Sequence, residues 1–223
     1  MNDIEIIRNI MIGHSINNIK LVVMTPLKST YKKIIKELNR NGESYEDCFF
    51  ENFVYETKIG KVMIVLSPQG LASNDIVELF NDTNFLFFGL AGSLNDIYKV
   101  GNFVEVEEAY YFNEKTSLKL IGDYRKAICG YSPCMVGEIS NKYCCDAKDK
   151  RCDVVDMETS ICARTAKKHN DNFTSLLLIS DMPGKYDFWK LSDEMKNNLE
   201  NCRKKSIEII IKYIDYIIRE GAK

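Results

Sequence analysis

The sequence predicts one α/β domain, a central mixed β-sheet flanked by helices. Three observations point there. The uninterrupted apolar runs NFLFF (84–88), TSLLLI (174–179) and IKLVVM (19–24) read as strands buried on both faces, because a half-exposed strand would alternate. Charged segments with helical spacing fall between these runs, which is the order of an α/β fold. Four prolines and twelve glycines are dispersed over 223 residues, so no linker or repeat divides the chain.

Each element follows in turn. IKLVVM is a first strand, and TPLKST (25–30) is a proline-containing loop leading into a charged helix from Tyr31 to about Arg40. NFVYETKIGKVMIVLS (52–67) reads as a hairpin turning around Ile59-Gly60, and PQG (68–70) opens a helix near Leu71–Phe80. NFLFFGLAGS (84–93) is a buried strand ending in a glycine-flanked turn; NFVEVEEAYYF (102–112) alternates like a strand with one wetter face. Residues 113–150 give no clear pattern. VVDMETS (154–160) marks a buried strand becoming a helix, TSLLLIS is the last strand, and a long C-terminal helix runs from about Asp193 to Glu220. Residues 1–18 read as an N-terminal extension and 19–223 as the domain.

Thirty basic and thirty-two acidic residues leave a formal charge of −2, with no basic segment that would suit a nucleic acid. No apolar run approaches the roughly 20 residues a bilayer span needs, and the first residues lack a signal-peptide pattern, so a cytoplasmic protein is expected. The eight cysteines include no C-x-x-C pair, and the two histidines, His14 and His169, lie far from the cysteine-rich stretch. Those spacings do not suit zinc, and reduced thiols without metal or other cofactor are expected.

In such folds ligands collect at the carboxyl ends of the strands. The loops TPLKST, GLAGS and SDMPG qualify, and three acids fall at the same edge: Asp156 and Glu158 at a strand-to-helix junction, Asp181 at a strand end. One reading of these acids is local, since carboxylates stabilise a first helical turn or cap a helix. The other is glycosidic chemistry. A purine leaves badly as an anion, so an acid near N7 lowers the barrier, while a second carboxylate that accepts from both ribose hydroxyls holds the sugar and its growing positive charge. Asp181 has the position for the first role and Glu158 for the second.

The motifs resemble those of the nucleoside phosphorylase/nucleosidase superfamily, which includes methylthioadenosine/S-adenosylhomocysteine nucleosidases and hexameric purine nucleoside phosphorylases. VVDMETS is similar to its V-E-M-E-x-A stretch, LLLISDMPG to its V-R-A-I-S-D strand end, FFGLAGSLNDIYKVGNFVEVEEA to its G-S-A-G-x-L…V-G-D-I-V-V segment, and LVVMTPLKSTY to a G-D-P-L-R-x-x-Y loop. They occur in family order over about residues 19–190. The resemblance implies a nucleoside phosphorylase-like fold and a purine nucleoside or nucleotide as partner, with homo-oligomers built from dimers. It implies Asp181 as the acid at N7, oriented by Ser180, and Glu158 on the ribose diol. Met157 would pack on the sugar face, or simply in the core, and Gly89 and Gly92 would shape the turn beneath the nucleoside. Tyr143 is the candidate to stack on the base. Phe188 or Trp189 would cover the 5′ side, or else serve as core or subunit contacts.

The departures concern the nucleophile. Thr30 falls where the nucleosidases keep a water-activating glutamate, so Thr30→Glu is expected to raise hydrolysis. At the phosphate-binding places of the phosphorylases stand Met24, Lys28, Phe87 and Leu90, of which only Lys28 suits an anion. Three readings follow: a purine nucleoside N-ribosyl hydrolase on a 5′-modified substrate whose charged group meets Lys28, a phosphorylase with other phosphate ligands, and a nucleoside-binding protein without turnover.

Overall fold

A computed structural model describes residues 3–13, 17–135 and 137–221. In chain order its elements are α1 (Asp3–Ile12), β1 (Ile19–Thr25), α2 (Lys28–Leu38), β2 (Gly42–Tyr45), β3 (Asn52–Thr57), β4 (Gly60–Leu66), α3 (Asn74–Glu78), β5 (Asn84–Ser93) and β6 (Phe103–Tyr111). Then follow β7 (Glu114–Ser117), β8 (Arg125–Tyr131), α4 (Gly137–Asp149), β9 (Val154–Asp156), α5 (Thr159–Lys168), β10 (Asn172–Asp181) and α6 (Asp193–Glu220). His14 lies outside the described residues.

The uninterrupted apolar runs have a direct cause. Along β1, Val22 and Met24 enter one core while Leu21 and Val23 enter another. The first core lies against α3 and α5, through Ile76, Val77, Ile161 and Ala166; the second lies against α2 and α6, through Ile34, Ile207, Ile210 and Ile214. Both faces of the sheet are dry, so both side-chain registers are apolar. β4, β1, β5 and β10 run parallel side by side, which brings their carboxyl ends to one edge. β3 joins β4 and β2 joins β3, both antiparallel, so the sheet is mixed as the hairpin implies.

Beyond this open part, β5 pairs with β10, β10 with β6, β6 with β8, β8 with β9, and β9 returns to β5. The sheet therefore closes on itself at one end. This corrects the turn expected at GLAGS: β9 offers Gly92 and Ser93 an antiparallel partner, so the strand continues through them. The helix expected at 71–80 is a 3₁₀ turn, Gly70–Ser73, followed by the short α3. The helix expected from Tyr31 to about Arg40 is α2, which starts at Lys28 and stops at Leu38, where Asn39 turns left-handed at φ 44°.

The silent stretch 113–150 holds β7, β8 and α4. The residues that α4 buries are Ser140, Cys144 and Ala147, so there is no stripe of large apolar residues to read. In the expected N-terminal extension, α1 lies against the body. Ile12 is fully buried, its carbonyl accepts from Asn52 Nδ2 at 3.0 Å, and Phe50 N–H donates to the Met11 carbonyl at 2.8 Å.

Candidate functional site

β5 and its two neighbours set the geometry. Gly92 is in register with Asp181 on β10 and with Val155 on β9, so one residue of β5 separates the last residue of β10 from the segment leading to Glu158. A Cβ at Gly92 would lie 2.8 Å from Pro183 Cγ, so the absence of a side chain lets the loop after Asp181 cross over the strand. A cleft with about 650 Å³ of empty space, counting its open mouth, lies over this point. Val155, Asp156, Met157 and Glu158 form one wall and Ser180, Asp181 and Pro183 another. Pro26, Leu27 and Gln69 close the side of β1 and β4, and Leu90 and Gly92 come from β5. Ser132, Cys134, Met135 and Ser140 complete the lining.

Asp181 ends β10 half-buried. Ser180 Oγ lies 2.7 Å from Asp181 Oδ1 and 3.3 Å from the Ala91 carbonyl, and its single proton suits the nearer carboxylate. Burial raises the Asp181 pKa above the usual carboxylate range, the Asp187 charge adds to the rise, and the Ser180 bond opposes it. A carboxyl of this kind keeps its proton to higher pH than a free aspartate and is suited to donate it.

Asp156 and Glu158 form a buried pair with unequal support. Asp156 accepts from the Thr159 amide and hydroxyl and from the Cys129 thiol. Glu158 receives the Gly70 amide on Oε1 at 2.7 Å. Burial raises both pKa values, and the Asp156 charge raises Glu158 further, so Glu158 is the member that holds a proton to higher pH. Gly70 reaches this position with φ +70°, a conformation side chains rarely adopt. Sequence reasoning passed over Gln69 and Gly70, because only the parallel pairing of β4 with β1 brings the end of β4 to the same edge.

The structure thus brings Asp156, Met157, Glu158, Ser180, Asp181, Gly92 and Leu90 together. Other candidates lie elsewhere. Tyr143 belongs to an aromatic cluster with Phe112 and Tyr131 and does not line the cleft; Cys134 and Met135 occupy the wall after β8 instead. Gly89 is inside β5, facing the Phe87 ring and Leu177. Met24 and Phe87 are fully buried, and Thr30 is 2% exposed in the first turn of α2. Lys28 faces a neighbouring hollow and lies 3.0 Å from Glu51. Phe188 and Trp189 are exposed on the loop before α6, away from the cleft lining.

The eight cysteines carry no disulfide, and among the described residues no group of three or more His, Cys, Asp or Glu is placed to hold a metal. No described helix is long and apolar enough to cross a membrane.

No family model and no curated protein matches the sequence. Solved structures do match the fold. The chain is similar to the Campylobacter jejuni 5′-methylthioadenosine/S-adenosyl homocysteine nucleosidase, with TM-score 0.71 and 14% identity over 88% of this chain and 98% of that one. The Helicobacter pylori nucleosidase of the same name matches with TM-score 0.70 and 14% identity, over 90% and 99%. A mutant of the futalosine hydrolase of that organism gives TM-score 0.69 and 12% identity, over 88% and 99%. The chain therefore has the nucleoside phosphorylase/nucleosidase fold, as its motifs imply.

Proposed function

We propose that the chain is a purine nucleoside N-ribosyl hydrolase. The observation that carries this reading is the register Asp181–Gly92–Val155, which sets a half-buried, Ser180-oriented carboxyl and the Glu158 carboxyl on one cleft. Asp181 gives its proton to purine N7 as the electrons of the C1′–N9 bond pass to the base. Glu158 gives up its proton to solvent as the ribose binds, and the carboxylate then accepts from the two ribose hydroxyls and faces the positive charge that grows on the sugar. Water oxygen then bonds to C1′, and the proton it loses returns through solvent to the Asp181 carboxylate. When departure of the base runs ahead of attack, as in oxocarbenium-like transition states, the water needs little activation.

Phosphorolysis fits the site less well. Among the described residues the cleft lining includes no Lys, Arg or His, and a phosphate dianion there would lose its water without gaining charged donors. The nucleosidase and hydrolase names of the structural neighbours agree with hydrolysis. The test is to incubate the protein with a panel of purine nucleosides, with and without phosphate, and follow base and sugar release. Phosphate-independent release of base and free sugar is expected. Release of a sugar 1-phosphate only with phosphate would establish the phosphorylase instead, and tight binding without release would leave a binding protein.

A further inference from the structure

An aromatic hollow lies beside the end of β8 and shares no lining residue with the cleft. Tyr131 belongs to the hollow, and Ser132, the next residue, to the cleft. The hollow holds about 290 Å³ of empty space and the cleft about 650 Å³, each counted with its open mouth. Less than half the space of the cleft admits one ring system but not a base joined to its sugar.

Three of its walls are rings. Phe112 lies 6.0 Å from Tyr131 and 6.2 Å from Tyr143, centroid to centroid, and Tyr131 lies 5.9 Å from Tyr143, with interplanar angles of 53°, 61° and 89°. None of these pairs is stacked face to face, and Phe112 is 53% exposed, so ring surface is left for a guest. Phe112 stands in the turn between β6 and β7 with φ 51°, where glycine or asparagine would turn the chain at lower cost. A large ring kept exposed in such a conformation argues for a use outside the packing of the fold.

The polar part of the lining narrows the guest further. Asp146 is on α4, and Lys150 follows that helix with its amide bonded to the Asp146 carbonyl at 3.3 Å, so the two side chains leave one face a turn apart. Neither makes a salt bridge among the described residues. An apolar guest would use neither charge, and an ion of either sign would meet a like charge. A neutral planar ring with an N–H beside a C=O uses both: the N–H donates to the Asp146 carboxylate, and the carbonyl accepts from the Lys150 ammonium. We propose that this hollow is a second binding site, separate from the cleft, for a free nucleobase that carries such a lactam edge and rests its ring on Phe112 and Tyr143.

The test titrates the full chain with hypoxanthine and with 1-methylhypoxanthine, which lacks the N–H of that edge, by calorimetry. The cleft would also hold a base, so two substitutions at exposed positions of the hollow tell the sites apart: Phe112→Gly, which suits the turn, and Asp146→Ala. Phe112→Gly should weaken one component of hypoxanthine binding about tenfold or more, the scale of one lost base–aromatic stack. Asp146→Ala should weaken the same component and remove its preference for hypoxanthine over the methylated base. Thermal melts confirm that both variants are folded. Hypoxanthine binding that neither substitution changes, no binding at all, or a Phe112-dependent component that takes the methylated base equally well would overturn the proposal. So would a dimer of the wild type that Phe112→Gly dissociates with no base bound, since the rings would then be a contact between copies. Neither residue lines the cleft, so the two readings fail separately. Cleavage without Phe112-dependent binding leaves the hydrolase alone, and such binding without cleavage leaves the base site alone.

Discussion

The two sides of the cleft are built on different principles. On the side of β9 and β10 stand three carboxyl groups, each buried or half-buried and each supported by the chain: Thr159 and Cys129 on Asp156, Gly70 on Glu158, Ser180 on Asp181. On the side of the loop after β1 stand Pro26 and Leu27, which bring no ionisable group; Thr30 is turned into the protein and Lys28 toward Glu51. Holding carboxyls out of water costs stability, and this chain bears that cost where a leaving group would be protonated, not where a nucleophile would be activated. Under the proposed hydrolysis, the contrast implies a site that works without a base for water because departure of the purine carries the barrier.

The sharpest break of that comparison is at Asp181. Asp181→Asn keeps shape and some hydrogen bonding but has no carboxyl proton to give, so kcat should fall by about 10²–10⁴, the usual range for a general acid, with KM little changed. Base release under saturating nucleoside checks it, and a loss within a factor of about two, far below that range, would remove Asp181 from the acid role. Glu158→Ala should cost about 10²–10³ in kcat/KM, on the scale of losing one oriented electrostatic partner, and should raise KM as well as lower kcat. If KM stays constant, Glu158 is not a ground-state ligand of the sugar.

The opposite side gives a different result. Its hydroxyl is buried in α2, so Thr30→Glu, expected from the sequence to restore a base for water, should instead place an unpaired charge in the packed face of that helix. The cost should be several kcal/mol, seen as a drop in Tm of about 10 °C with no gain in hydrolysis. A faster, equally stable Thr30→Glu protein would show that α2 opens to the cleft in solution.

The smallest effect concerns pH. Burial and the neighbouring Asp156 charge raise the folded pKa of Glu158 above its usual 4.5, so its contribution to stability is fully present below pH 4.5 and is lost as pH rises through the raised pKa. Over that window the ligand-free protein should lose a few degrees of Tm, on the order expected for a domain of this size, and Glu158→Gln should flatten the decline. Thermal melts at fixed salt across that range make the measurement; an unchanged slope in Glu158→Gln would mean that Glu158 ionises freely.

Much of this was legible in the sequence, for reasons particular residues make clear. The runs around Val22, Phe87 and Leu177 announced doubly buried strands because both registers are apolar, and Asp193–Glu220 announced a helix because its apolar positions recur on one face. Asp181, Ser180 and Glu158 were visible because polar residues interrupt apolar runs abruptly. Other parts were hidden. The edge strand β2 has only exposed or half-buried residues, and α4 turns small ones inward, so neither shows a period. Tyr143 drew attention as an aromatic of the right kind, whereas the cleft wall after β8 is carried by Cys134 and Met135, on a loop whose course no periodicity reveals.

The change of partner along β5 has a further consequence. Phe85, Leu86 and Phe87 are paired with β1 on one side, and Gly92 and Ser93 with β9, while Phe88–Ala91 between them pair with β10 alone. The sheet thus has a slot, and it opens beside Leu90 and Gly92, on the floor of the cleft. Backbone donors and acceptors at such a slot must be satisfied by something other than a strand. Recognition that uses them is written in the course of the main chain, so substitutions along β5 at positions other than Gly92 can accumulate without erasing it.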